Sequence, residues 1–328
     1  MMALVVVLAL LFWLVATIVS VGGQGAVTTA RERGVPAYVS ARAARAALSD
    51  ADRAAWQSFR SGAAKLIGPG QRFRDDLTTA GQSLASMAAI DRGGATGRDL
   101  LRAVNAQVVT YQGLVEQADA TYRQGMEELG FAYLSYASDL LHGDGGLLAR
   151  IDEIARRDRQ AIEERRHSAW TGTGVVIAPI AVGVVLMAAL GYAQVSMARR
   201  FRRVLNVPLL TACVVLSVLV IWTTVTLVQT QRAFAHAYDK ELSALDRVWQ
   251  TQIAMADSGA GALRAGRSAD LTGGLNVAAA DRARRPLTAR LADAGDTDGL
   301  TVGLPLLTLA VAGLAAMGFV LRLREYRG

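Results

Sequence analysis

Four long apolar runs divide this 328-residue chain. Each run is close to the length of about 20 residues that a helix needs to cross a bilayer. Between the first and second runs, and between the third and fourth, the sequence is polar with apolar residues at helical spacing. This alternation predicts an all-α integral membrane protein with four transmembrane helices. The apolar runs are Ala3–Val21, Thr171–Ala193, Val207–Val228 and Leu300–Leu321.

The runs set the predicted domain boundaries. Two water-facing helical regions, a short cytoplasmic loop and a cytoplasmic tail alternate with the four spans. The predicted order is 1–23 span, 24–170 extracytoplasmic bundle, 171–193 span, 194–206 loop, 207–229 span, 230–299 second extracytoplasmic region, 300–321 span and 322–328 tail.

Helical periodicity in the first polar region is strongest between Asp99 and Arg123. Apolar residues recur there at alternating steps of three and four, which is the spacing of a heptad seam. A seam of this length predicts one helix face buried against neighbouring helices. The seam residues are Leu101, Val104, Val108, Tyr111, Val115, Ala118 and Tyr122.

Glycine-rich breakers separate the other periodic stretches of this region. Four amphipathic helices joined by short turns predict a four-helix bundle. The predicted helices are Pro36–Ile67, Arg72–Arg92, Thr96–Leu129, and a fourth that begins near Phe131 and resumes at Leu147–Arg166.

The second polar region is shorter and predicts a helical hairpin. Arg232–Met255 is periodic, Gly259–Gly274 is rich in glycine and predicts a loop, and Ala278–Ala292 predicts a return helix that Pro286 would interrupt or bound. A hairpin alone buries little apolar surface, so we expect this region to pack against the larger bundle.

Arginines cluster between the second and third apolar runs, and short loops rich in Lys and Arg stay on the cytoplasmic side of a membrane. The loop 194–206 therefore predicts a multi-pass plasma-membrane protein with cytoplasmic N and C termini. Labelling from outside should then reach Asp76 but not Arg200. The loop contains Arg199, Arg200, Arg202 and Arg203 and no acidic residue.

Composition narrows the class of protein further. The formal net charge is +7, and six of these charges lie in the loop 194–206 and the tail 322–328. Charge concentrated beside apolar runs indicates a lipid bilayer as the partner and argues against nucleic acid. The single cysteine, Cys213, excludes an intrachain disulfide. The bias toward Arg, Ala and Gly indicates an actinobacterial source.

The first apolar run has two interpretations. The small residues Gly22, Gly23 and Gly25 are compatible with a cleaved signal peptide. The run is longer than the apolar core of most signal peptides and no basic segment precedes it, which favours an uncleaved anchor.

No catalytic motif is present in the sequence. His142 and Asp144 flank a glycine, but a metal site needs three or four converging ligands, so the favoured interpretation is a solvated turn. We therefore expect a protein that is not an enzyme, with no catalytic, cofactor-binding or metal-binding residues and no cofactor.

Two motifs resemble a known family. Val109–Ala118 has the sequence V-T-Y-Q-G-L-V-E-Q-A, and Tyr122–Gly125 has the sequence Y-R-Q-G. They are similar to motifs of actinobacterial GlnX-type membrane proteins, which carry Asn where this chain has Tyr122. The similarity covers most of 24–230 and fades in 231–299.

The resemblance implies four spans, an extracytoplasmic bundle similar to chemoreceptor sensor domains, and signal relay. It also implies two partners, an amino-acid-binding lipoprotein outside and a cytoplasmic Ser/Thr kinase inside. Off the seam, Glu116 and Arg123 are candidate partner-binding residues, as is the arginine loop. Homodimerisation is left open.

Two functions follow as hypotheses. The first is a non-enzymatic transmembrane sensor that relays an extracytoplasmic signal to a cytoplasmic partner. The second is a structural or accessory membrane protein of an envelope complex. The arginines of the loop 194–206 have two interpretations as well: a docking surface for the cytoplasmic partner, or an anchor that fixes topology and meets anionic lipid.

Overall fold

The computed structural model describes four long stretches of the chain and scattered residues between them. Helices, turns and loops make up these residues, and no strand occurs among them. The long stretches are 28–90, 94–166, 237–268 and 274–295, and the scattered residues are 14, 17, 181–185, 187–188, 191–192, 211, 214–215, 217–218, 220–222, 224–226, 228–229, 232 and 313.

Eight α-helices lie in the long stretches, and the expected all-α class is therefore observed for this part of the chain. Two short π-helical segments, Ala30–Gly34 and Ala237–Leu242, precede the first and seventh helices. The α-helices are α1 Val35–Arg60, α2 Ala64–Ile67, α3 Gly70–Ile90, α4 Gly94–Arg123, α5 Glu127–His142, α6 Leu147–Arg166, α7 Ser243–Arg264 and α8 Val277–Gly295.

The chain folds into two compact units. One unit joins Ala30–Glu163 with Tyr238–Thr288. In it α1 packs against α3 and α7, and α4 packs against α5. The expected packing of the second polar region against the first is thus confirmed for Tyr238–Thr288.

The other unit comprises 1–29, 164–237 and 289–328. Within it, the hydroxyl of Ser217 lies 3.5 Å from the sulfur of Met187. Thr224 and Thr226 donate hydrogen bonds to the carbonyls of Val220 and Trp222, four residues earlier. Such back-bonding is the ordinary use of Thr inside a helix. No helix among the described residues has both the length and the apolarity needed to span a membrane.

The heptad seam of α4 faces the core. Six of its seven residues are buried, and Val108 is half-buried. At one end of the seam, Tyr122 packs against Phe59 and Phe131 with ring centroids 5.0 and 5.6 Å away. Trp56 stacks on Phe131 at 6.1 Å. This aromatic cluster fixes α1, α4 and α5 together.

Several predicted boundaries are wrong by part of a helix. The first predicted helix breaks after Arg60, and α4 ends at Arg123 instead of Leu129 because Gly125 adopts a positive φ of 88°. The predicted loop at Gly259 is helical as far as Arg264. Pro286 lies inside α8 without ending it.

Candidate functional site

The most unusual feature of the helical unit is the polarity of its most buried helix. Helix α1 contacts α3, α5 and α7, so almost every face of it is covered. It nevertheless buries four charged side chains. A buried charge is costly unless it is paired and hydrogen-bonded. The buried charged residues of α1 are Arg45, Asp50, Asp52 and Arg53.

The first polar cluster joins three helices through ion pairs. Arg42 of α1 lies 2.9 Å from Asp246 of α7 and 3.3 Å from Asp152 of α6. Arg45, three residues further along α1, lies 3.2 Å from the same Asp152 and 2.8 Å from Asp257 of α7. The spacing of three places both guanidinium groups on one face of α1. Two arginines and three aspartates thus form one continuous chain.

Asp246 is the most highly bonded member of this cluster. Besides Arg42, it accepts hydrogen bonds from the Tyr38 hydroxyl, from Arg159 Nη1 at 3.3 Å and from Gln250 Nε2 at 2.9 Å. Burial raises the pKa of Tyr38, and its hydrogen bond to Asp246 raises it further. Tyr38 therefore stays a neutral donor to the carboxylate.

The second cluster centres on Asp50. Its carboxylate accepts hydrogen bonds from Arg53, from Arg72 Nη2 at 2.9 Å and from the backbone N–H of Leu275 at 3.0 Å. Asp50 therefore links α1, α3 and the segment that leads into α8. Gly274 lies so close to Arg72 that an added Cβ would sit 2.5 Å from its Nη2.

The third cluster surrounds Asp52, which is fully buried. The Tyr111 hydroxyl lies 3.3 Å from Oδ1, while Ser138 Oγ and His142 Nε2 lie 2.9 and 3.2 Å from Oδ2. Within the described part of the chain, the Ser138 hydroxyl donates to this carboxylate rather than to the imidazole. His142 borders a turn as expected, but it is not simply solvated, because its ring contacts Asp52.

An open groove of about 510 Å³ lies between the start of α4 and the first half of α6. Its volume falls within the range of small-molecule sites. Glu153 on its rim accepts hydrogen bonds at 2.7 Å from both Arg156 and Arg157, and these bonds lower the pKa of its carboxyl. The residues lining the groove are Asp99, Leu100, Gly145, Ala149, Arg150, Glu153, Arg156 and Arg157.

The two predicted partner-binding residues of α4 are exposed, and the three buried clusters do not include them. Glu116 accepts a hydrogen bond from Gln112 at 2.8 Å, and Arg123 pairs with Asp119. Seven residues, or about two turns, separate Glu116 from Arg123, so both lie on one side of the helix. The predicted cytoplasmic residues Arg199, Arg200, Arg202 and Arg203 lie outside the described residues.

The buried clusters of α1 were missed by the sequence interpretation. The sequence did contain a pattern that marks this face. Polar side chains recur at helical spacing in an alanine-rich stretch, at Arg42, Arg45, Ser49, Asp52 and Arg53. Polar residues at that spacing usually mark a solvated face. Only the partners on α6 and α7 distinguish a buried polar face from a solvated one.

Within the described residues, no group of three or more His, Cys, Asp or Glu side chains is placed to hold a metal ion. Within each of the three clusters, the polar side chains bind one another and hold neighbouring helices together.

One part of the chain is similar to a known family of sensor domains. Residues 26–167 match a family model described as an actinobacterial sensor domain. The match covers less than half of the 328-residue chain and includes α1 to α6. No curated protein and no solved structure matches the chain. The family match supports a sensing role for this part of the protein.

Proposed function

We propose that the chain is a non-enzymatic transmembrane sensor that relays an extracytoplasmic signal to a cytoplasmic partner. The observation that carries the proposal is the match of 26–167 to an actinobacterial sensor domain. The apolar runs on both sides of this segment support insertion into a membrane, and the arginine loop supports the proposed orientation of the chain.

The packing of the helical unit supports the proposed topology. The charge pattern assigns 24–170 and 230–299 to the same side of the membrane. Ala30–Glu163 and Tyr238–Thr288 form one compact unit, with α7 packed on α1. Segments that pack on each other must lie on the same side of the membrane. The packing of these two segments is therefore compatible with the proposed topology.

The first polar cluster suggests how a signal would travel. By sequence, α1 follows the first predicted span, α6 precedes the second, and α7 follows the third. Arg42 and Arg45 join these three helices through Asp152, Asp246 and Asp257. A ligand or partner that shifts one helix by about 1–2 Å would therefore move the others or break ion pairs.

The partners follow from the resemblance described above. The proposed partner outside the cell is an amino-acid-binding lipoprotein, which contacts Glu116 and Arg123 of α4. The proposed partner inside the cell is a Ser/Thr kinase, which docks on the arginine loop through Arg199, Arg200, Arg202 and Arg203. The guanidinium group offers bidentate geometry that lysine lacks, so replacement of all four arginines by lysine separates docking from simple charge attraction.

Cysteine accessibility tests the topology. In a Cys213→Ser background, Arg74→Cys should react with a membrane-impermeant maleimide on intact cells, and Arg200→Cys should react only after permeabilisation. Arg74 is exposed, whereas Asp76, which the sequence suggested as the accessible position, is buried. Labelling of Arg200→Cys on intact cells would refute the orientation.

Affinity purification from membranes, followed by mass spectrometry, tests the relay. The wild-type chain should recover a kinase, and the variant with four lysines should insert normally but recover much less of it. If the lysine variant recovers the kinase fully, the arginines act only as an anchor. If the wild-type chain recovers no cytoplasmic signalling protein, the relay itself is refuted.

A further inference from the structure

Two carboxyl groups meet in the core of the helical unit. The Asp50 side chain of α1 is 2% exposed, and Asp76 of α3 is 7% exposed. The negative charge of Asp50 acts on the Asp76 carboxyl. Carboxylate oxygens only accept hydrogen bonds, so two ionised carboxylates packed in a core repel each other, and a proton on one of them removes the repulsion.

The surroundings of the two groups decide which one holds the proton. Asp50 accepts hydrogen bonds from Arg53, from Arg72 and from the N–H of Leu275, so both of its oxygens already serve as acceptors. Asp76 Oδ2 is buried and has no hydrogen-bond partner among the described residues. The proton therefore belongs to Asp76.

Charged and titratable neighbours face Asp76 from three helices. They are Asp50 and Arg53 of α1, Arg72 of α3 and Tyr111 of α4. Burial and the negative charge of Asp50 raise the pKa of Asp76 to about 7, against the opposing effect of Arg72 and Arg53. Burial raises the pKa of Tyr111 as well, so Tyr111 stays neutral while Asp76 titrates.

We propose that Asp76 is a proton-binding site, and that loss of its proton to solvent releases the segment Gly274–Asn276 from Asp50. With Asp76 neutral, Arg53 and Arg72 are both engaged by Asp50. With Asp76 ionised, two carboxylates compete for the same two guanidinium groups. The site lies within the helical unit, so this proposal does not depend on the membrane topology.

Arg72 is the group that can respond to this competition. Its side chain is 37% exposed, whereas that of Arg53 is 5% exposed. Arg72 contacts Asp50 on one side and Gly274 on the other. If Arg72 turns toward an ionised Asp76, Gly274 loses its packing partner, and the N–H of Leu275 loses a positioned acceptor. The proton on Asp76 thus controls how the chain enters α8.

Hydrogen exchange at the Leu275 amide tests the proposal on the full-length chain at pH 6 and pH 8. After correction for the intrinsic pH dependence of exchange, the opening equilibrium at Leu275 should become about tenfold more favourable over this interval in the wild type. In Asp76→Asn, which keeps the shape and cannot ionise, it should stay unchanged. The matched control is Asp75→Asn, an exposed neighbour on α3, which should behave as the wild type.

The proposal is overturned if wild type and Asp76→Asn show the same change, or if the wild type shows none. Thermal melting gives a second readout. Between the ordinary pKa of 3.8 and the folded value of about 7, the native state binds more protons than the unfolded state. Stability of the wild type relative to Asp76→Asn should therefore fall as pH rises through that window and level off above it. Parallel melting profiles, or the opposite order, would also refute it.

Discussion

Arg42 and Asp246 are 204 positions apart in the sequence, yet Arg42 Nη2 lies 2.9 Å from Asp246 Oδ1. Their side chains are 17% and 9% exposed. The pair fixes α7 on α1 and sets the axial position of one helix against the other. Its consequences for stability can be tested one residue at a time.

Replacement of Asp246 by alanine should destabilise the helical unit by about 3–5 kcal/mol, because it leaves a partly buried Arg42 without this partner. It also removes the acceptor of Tyr38. The control is Arg102→Ala, which breaks an ion pair exposed on both sides and should cost less than about 1 kcal/mol. Denaturant unfolding measures both variants. Equal losses would show that the Asp246 cluster does not contribute more than a surface pair.

The seam of α4 gives a second prediction. Val115 is fully buried and Glu116 is exposed. Val115→Asp should destabilise by more than about 4 kcal/mol, because it places an unpaired charge in the core, and Glu116→Ala should stay within about 0.5 kcal/mol. Val108→Asp should be milder than Val115→Asp, since Val108 is only half-buried. Similar melting temperatures for the three variants would contradict this orientation of α4.

Two glycines form a matched pair for a third prediction. An added Cβ at Gly130 would lie 2.9 Å from the Cβ of Tyr122 and 3.1 Å from the carbonyl oxygen of Ala118, whereas at Gly113 it would meet nothing within 4 Å. Gly130→Ala should cost about 1–3 kcal/mol through overpacking. Gly113→Ala should stabilise α4 by about 0.5–1 kcal/mol, because alanine loses less backbone entropy. A neutral effect at Gly130 would mean that α4 and α5 separate easily.

The carboxylate of Asp52 supports a fourth prediction. Ser138→Ala removes a buried donor at 2.9 Å and should cost about 1–3 kcal/mol. Ser86→Ala is the control, because the exposed Ser86 hydroxyl bonds a carbonyl of its own helix, and this change should be near neutral. Chemical denaturation of the two variants distinguishes them. If Ser138→Ala is neutral as well, another donor must replace the hydroxyl.

Helix type and the buried face of α4 were predictable from sequence because both follow from apolar periodicity. Helix ends were less so. Gly259 suggested a loop, but an added Cβ there would lie 2.6 Å from Arg53 Cδ. This glycine therefore allows close packing of α7 on α1 and does not mark a turn. Composition alone cannot separate these two uses of glycine.

The buried clusters could not have been predicted from α1 by itself. Arg42 and Arg45 look like a solvated face until Asp152, Asp246 and Asp257 are known to lie opposite. Sequence gives the spacing within one helix, whereas pairing depends on how distant helices meet. For the same reason, the sequence alone predicted that Asp76 would be accessible, although the fold buries it.

The long sequence separation of α1 and α7 has a consequence for biogenesis. Arg42 and Arg45 leave the ribosome before Asp246 and Asp257, which follow 204 and 212 residues later. At about 5–20 residues per second, this delay is roughly 10–40 s. During that time α1 has no α7 to cover its charges. The nascent helical unit should therefore remain protease-sensitive until α7 has been translated.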